Sequence, residues 1–107
     1  MLAGRDETIT HAYRAKNVAA NPATSYEVAT REIVRLMREI RTAGLEMLGT
    51  YHSHPNGRGE PSETDIAAAG YPDVTYFIIA APPDADIALR AFSIRGGQIA
   101  ELDIVVV

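Results

Sequence analysis

The chain contains no cysteine. Disulfide staples and thiolate metal sites are therefore excluded, and any metal must be held by nitrogen and oxygen. It also has no apolar run of about 18 residues, so no membrane-spanning helix is expected. The amino terminus lacks a basic stretch followed by an apolar one, so no secretory leader is expected. Together with the missing disulfide framework, this fits a reducing, cytoplasmic setting. No stripe of clustered Lys and Arg with interleaved aromatics is present, and the formal net charge is −4 with a pI near 5.2. Nucleic acid is therefore not an expected partner. Internal repeats and low-complexity segments are absent too. Histidine is scarce, with three in 107 residues, and two of those three stand almost side by side.

That pair lies in Tyr51-His52-Ser53-His54-Pro55, followed by Ser62-Glu63-Thr64-Asp65. Leu45 to His52 is an apolar run ending in a β-branched and an aromatic residue, and reads as a buried strand. Side chains at i and i+2 of a strand share a face. His52 and His54 should project together, with Ser53 turned away. Pro55 cannot donate to a ladder and stops the strand. Asn56 to Pro61 is rich in turn residues and reads as a loop. Ser62 is a helix N-cap candidate, and Asp65 stands where the acid of a capping box would stand. Two imidazoles and a carboxylate form a plausible protein ligand set for a zinc ion with one coordination position open, the arrangement of a catalytic site.

Plainer readings stand beside this one. A Ser-x-x-Asp before an alanine-rich run is, taken alone, a helix start. A lone histidine such as His11 in a polar strand is structural or solvent-facing, and no role is assigned to it. The pair on one strand face, one loop away from an aspartate, is a more concentrated signal.

The length fits one domain. Thr8 to Val18 reads as a strand near a sheet edge, Ala19 to Ser25 as a loop and Tyr26 to Val28 as a short strand. Thr30 to Ala43 is the clearest helix: Ile33, Leu36, Met37 and Ile40 make one apolar stripe, with Gly44 as its C′ stop. Arg31, Arg35, Arg38 and Arg41 lie on other faces and read as a solvated surface with Glu32 and Glu39. Ser62 to Ala69 reads as a short helix and Val74 to Ala80 as a central strand, with Ala81 to Asp84 a loop. Ala88 to Arg95 and Gln98 to Val107 flank Gly96-Gly97 and read as a hairpin. The expected architecture is α/β of the α+β kind. It has a mixed, mostly antiparallel, curled sheet with one long and one short helix, and the site at one end of the central strand.

His52-Ser53-His54-Pro55, six loop residues, then Ser62-Glu63-Thr64-Asp65 resembles the signature of the JAMM (MPN-plus) zinc metalloproteases. That signature is His-x-His-Pro, a short loop, then Ser-x-x-Asp. Ala15-Lys16-Asn17-Val18 and Tyr26-Glu27-Val28 resemble upstream strands of the small bacterial members. Tyr71-Pro72-Asp73-Val74 with Tyr76-Phe77-Ile78-Ile79 resembles their strand after the site. The resemblance implies the JAB-MPN fold, similar to that of cytidine deaminases. It implies zinc bound by His52, His54 and Asp65. It also implies that the Ser62 hydroxyl hydrogen-bonds the attacking water or the oxyanion that forms from the carbonyl.

The implied reaction is hydrolysis of a peptide or isopeptide bond after the carboxyl-terminal glycines of ubiquitin or a ubiquitin-like protein. The short loop and tail leave no room for a large insertion and point to the compact prokaryotic branch. The implied partner is then a small ubiquitin-like sulfur carrier, its Gly-Gly tail paired along a strand edge. The family's general base is a glutamate just before a Gly-Leu-Leu-x-Gly-like segment. Met1-Leu2-Ala3-Gly4 matches the interior of that segment, and no residue of the chain matches the glutamate. Neither Glu7 nor Glu27 occupies the family position. The chain is therefore expected to be shortened at its amino end, without the family's first helix. It is expected to bind zinc with weak turnover, because a positioned base contributes roughly 10²–10⁴-fold. Apolar sheet surface left bare would favour self-association into a homo-oligomer.

Three other readings remain. A non-catalytic MPN-like scaffold normally lacks the zinc ligands. A deaminase-like zinc hydrolase usually ligates with cysteine. A DNA-repair-associated relative is disfavoured by the acidic balance.

Overall fold

The computed structural model describes residues 1–14, 30–54, 59–70, 73–82 and 86–107. Its elements are β1 (Leu2–Arg5), β2 (Thr8–Ala12), α1 (Thr30–Thr42), β3 (Glu46–His54), α2 (Glu63–Ala68), β4 (Thr75–Ala80), β5 (Ala88–Arg95) and β6 (Gln98–Leu102). The strands hydrogen-bond in the order β2-β1-β3-β4-β5-β6. The chain divides into two compact units, Met1–Thr50 and Tyr51–Val107, and β3 runs from the first into the second. No helix among the described residues is long and apolar enough to cross a membrane.

In the first unit, β1 pairs antiparallel with β2 on one side and β3 on the other. The α1 stripe forms as its spacing predicts. Leu36 and Ile40 are 2% and 3% exposed and pack in one cluster with Met1 and Ala3, while Ile33, Met37, Leu45 and Met47 close around them. Arg35 on the outer face pairs with Glu32 and Glu39 at 2.6 Å each. These pairs are solvent-exposed and contribute little to stability.

The helix stops through a Schellman arrangement. Leu45 N donates to Ile40 O at 3.0 Å, Gly44 N donates to Arg41 O at 2.9 Å, and Gly44 has φ 72°. Only glycine adopts that conformation freely. Leu45 completes the motif by packing on the cluster that contains Ile40. Gly44→Ala is expected to cost about 1–2 kcal/mol of stability from the left-handed backbone alone. The added Cβ would also stand 2.6 Å from an Arg5 guanidinium nitrogen, which must swing away. Urea denaturation measures this, and an unchanged midpoint would contradict the capping account.

In the second unit, β4, β5 and β6 form an antiparallel meander, with Tyr76 opposite Phe92 and Phe92 opposite Glu101. Its buried hydrophobic residues are Val74, Ile78, Ala80, Ala91, Phe92 and Ile94. Gly96 and Gly97, at φ 55° and 79°, make the two-residue turn between β5 and β6. Positive φ at both central residues is the type I′ signature that suits strand twist. Ala81 N donates to His54 O at 3.3 Å. This bond joins the carboxyl ends of neighbouring strands β3 and β4, the relation of a parallel pair. The pair is connected through α2, since parallel neighbours need a crossover. The sheet is therefore mixed and mostly antiparallel, as expected.

Several expected bounds are corrected. β2 ends at Ala12, and residues 15–18 of the longer strand expected there lie outside the described residues, as do the Ala19–Ser25 loop and the Tyr26–Val28 strand. β3 begins at Glu46, one residue later than expected, and runs to His54 before Pro55, so both histidines lie in the strand as expected. α2 closes at Ala68 with Ala69 as its cap. β6 ends at Leu102, where the expectation ran to Val107. Val105, Val106 and Val107 are 79%, 91% and 96% exposed, so β-branched composition alone does not make a strand where no partner pairs with it.

Candidate metal centre

The last residues of β3 alternate as the strand period requires. His52 and His54 are half-buried and Ser53 is exposed. The two rings stand with centroids 5.0 Å apart and planes at 52°. Their Nε2 atoms lie 3.1 Å from each other. The third donor comes from α2. Its cap is reciprocal: Asp65 N–H donates to Ser62 Oγ at 3.1 Å, and Ser62 N–H donates to Asp65 Oδ2 at 2.9 Å. This capping box fixes the carboxylate rotamer. It leaves Oδ1 3.2 Å from His52 Nε2 and Oδ2 3.1 Å from His54 Nε2. The side chains of His52, His54 and Asp65 are 15%, 20% and 13% exposed.

The same Asp65 is thus both a cap and a member of the cluster, so the two readings of Ser-x-x-Asp are compatible. Burial by itself would raise the Asp65 carboxyl. The His52 ring, the Ser62 backbone N–H and the Ser62 side chain outweigh it and lower the carboxyl to about 2. Asp65 is consequently an anion throughout the neutral range. Ser62 Oγ accepts its capping bond through a lone pair, so its hydrogen can still be donated to a nearby oxygen.

Donors of nitrogen and oxygen at about 2.0–2.1 Å from a tetrahedral centre lie about 3.3–3.4 Å from one another. The two Nε2 atoms, 3.1 Å apart, and the Asp65 oxygen facing each, Oδ1 at 3.2 Å from His52 and Oδ2 at 3.1 Å from His54, come close to that. Two imidazole nitrogens and a carboxylate converge here, the kind of nitrogen and oxygen set that holds a divalent cation. The donor set of His52, His54 and Asp65 therefore fits a divalent ion such as zinc, with three protein ligands and an open fourth position.

A sequence comparison accords with this geometry. The family described as prokaryotic homologues of the JAB domain matches residues 1–94. The chain belongs to the prokaryotic JAB-domain branch of the JAMM/MPN family. Among its relatives is a protein named desampylase from Haloferax volcanii, 35% identical over 108 residues, a match that covers 99% of this chain and 75% of that protein. A second, named a probable TtuB-protein conjugate cleaving protease, comes from Thermus thermophilus. It is 33% identical over 82 residues, covering 77% of this chain and 51% of that protein. Solution structures of proteins from Desulfitobacterium hafniense and Salinibacter ruber superpose with TM-scores of 0.78 and 0.71. Each is 28% identical and matched over 97% of this chain and 73% of the other. The JAB fold expected from the sequence is the fold observed.

The remaining candidates fall apart from the cluster. His11 is exposed, pairs with Thr10 at 2.7 Å and stacks on Tyr13. Glu7 forms the β1–β2 turn with Asp6, at φ 63° and 51°, and Glu27 lies outside the described residues. Arg90 lies against the segment leading into Ser62. A cross-strand arginine carries no periodic signal that would have singled it out.

Proposed function

We propose that this JAB domain is a zinc-dependent peptidase or isopeptidase that cleaves after the carboxyl-terminal glycine of a ubiquitin-like protein, with a sulfur-carrier type as the substrate class. The observation that carries the reading is the convergence of His52, His54 and Asp65 within hydrogen-bond distance of one another, with Ser62 locked beside Asp65. The names of the two relatives, one of them a conjugate-cleaving protease, support the substrate class. Zinc held by these three residues would supply Lewis acidity for activating water and polarising the scissile carbonyl.

The chain's own residues do the rest. His52 and His54 present Nε2 from one face of β3. Asp65 brings negative charge and is fixed by the Ser62 N–H. The Ser62 hydroxyl donates to the oxygen on which charge develops during attack. Intact donors in all three positions weigh against a non-catalytic scaffold.

The test uses zinc-loaded protein and a ubiquitin-like carrier joined through its terminal glycine to a lysine side chain, with release followed by mass spectrometry. Release that stops on chelation and is absent in His54→Ala is the expected result. Zinc-loaded protein that releases carrier no faster than His54→Ala would overturn the proposal.

A further inference from the structure

Arg90 on β5 is held from two sides. Its Nε and Nη2 donate to the two Glu101 carboxylate oxygens on β6 at 2.9 and 2.6 Å, and its guanidinium carbon stands 5.2 Å from the centroid of the Phe92 ring. Phe92 is itself 3% exposed. A two-pronged carboxylate bond is geometrically specific, and the ring below restrains the guanidinium further. The aliphatic stem of Arg90 is thereby a fixed piece of the surface.

The chain leading to the metal centre rests on that stem. Gly59 is buried, and a Cβ built on it would stand 2.7 Å from Arg90 Cδ and 3.1 Å from Ala80 Cβ. Glu60 follows, with a carboxylate oxygen 3.8 Å from Arg90 Nη1. One proline later comes Ser62, whose N–H holds Asp65 Oδ2 at 2.9 Å. A shift of Gly59–Glu60 is therefore passed through Pro61, a residue of fixed φ, to the group that orients the carboxylate.

We propose that Arg90 is a positioning residue for the metal centre. It seats Gly59 and Glu60 on β4 and β5 so that Ser62 holds Asp65 in register with His52 and His54. This rests on the reading of those three residues as metal ligands. A constellation of this kind works only when its members are held within about 0.5 Å. Groups that orient a ligand typically change metal affinity or activity by about 10–100-fold.

Zinc affinity, measured by competition with a chromophoric chelator well below the unfolding temperature, separates positioning from plain support of the fold. Arg90→Ala is expected to weaken zinc binding about 10-fold. Arg90→Lys should recover part of the loss, since it keeps stem and charge but not the fork. Gly59→Ala should weaken binding alone, and by a smaller factor when combined with Arg90→Ala, because the atom its Cβ would strike is gone. Wild-type affinity in folded Arg90→Ala, or a Gly59→Ala effect independent of Arg90, overturns the proposal. If Arg90→Ala fails to fold, Glu101→Gln decides: several-fold weaker binding supports the proposal and unchanged affinity overturns it. Wild-type protein that takes up no zinc overturns the ligand reading, and this inference with it.

Discussion

Asp65→Asn should leave a folded protein that has lost its metal. The asparagine amide oxygen can still accept the Ser62 N–H bond now held at 2.9 Å, and the Asp65 N–H to Ser62 Oγ bond is untouched. Asn and Asp are also close in their compatibility with helix starts. The carboxylate charge, however, is gone. At about 2 the Asp65 carboxyl is ionised at every pH where the protein would be assayed, so the substitution removes a full negative charge from the donor set. Groups one step out from a ligand change metal affinity by about 10–100-fold, so loss of a ligand should exceed about 100-fold. Zinc titration and urea denaturation of the apoprotein measure the two halves separately. Wild-type affinity in the variant would show that Asp65 is a cap and nothing more.

The second large effect is expected at Ser62, on turnover with metal retained. Removing an oxyanion donor costs about 10²–10³-fold in rate. Ser62→Ala would show this but also weakens the α2 cap, by about 1 kcal/mol. Ser62→Gly separates the two roles, because glycine at an N-cap costs only a few tenths of a kcal/mol and still lacks the hydroxyl. Both variants should hold zinc at close to wild-type stoichiometry and release carrier from a conjugate about 10²–10³-fold more slowly than the same chain with Ser62. Turnover by Ser62→Gly within a few-fold of wild type would remove Ser62 from the chemistry and leave it the cap alone.

What the sequence revealed was local and periodic. The two-residue strand period placed His52 and His54 on one face without reference to any other part of the chain. The cap at Ser62, the stop at Gly44 and the turn at Gly96-Gly97 were legible because those residue types answer specific backbone demands. Three features were not. The turn at Asp6-Glu7 puts two residues with side chains at φ 51° and 63°, where no glycine or asparagine marks it. The run Ile104–Val107 has strand composition yet β6 stops at Leu102, since ladder pairing decides strand ends. The contact between Arg90 and Gly59 joins positions 31 residues apart and exists only once β4 and β5 have paired.

The claim on which the rest depends is that His52, His54 and Asp65 form one zinc site. Elemental analysis of the purified protein after zinc loading and exhaustive dialysis tests it most directly, with His52→Ala and His54→Ala carried in parallel. The account predicts one zinc per chain in the wild type and close to none in either variant. A wild-type stoichiometry near zero, or a full zinc equivalent retained by His52→Ala, would contradict it.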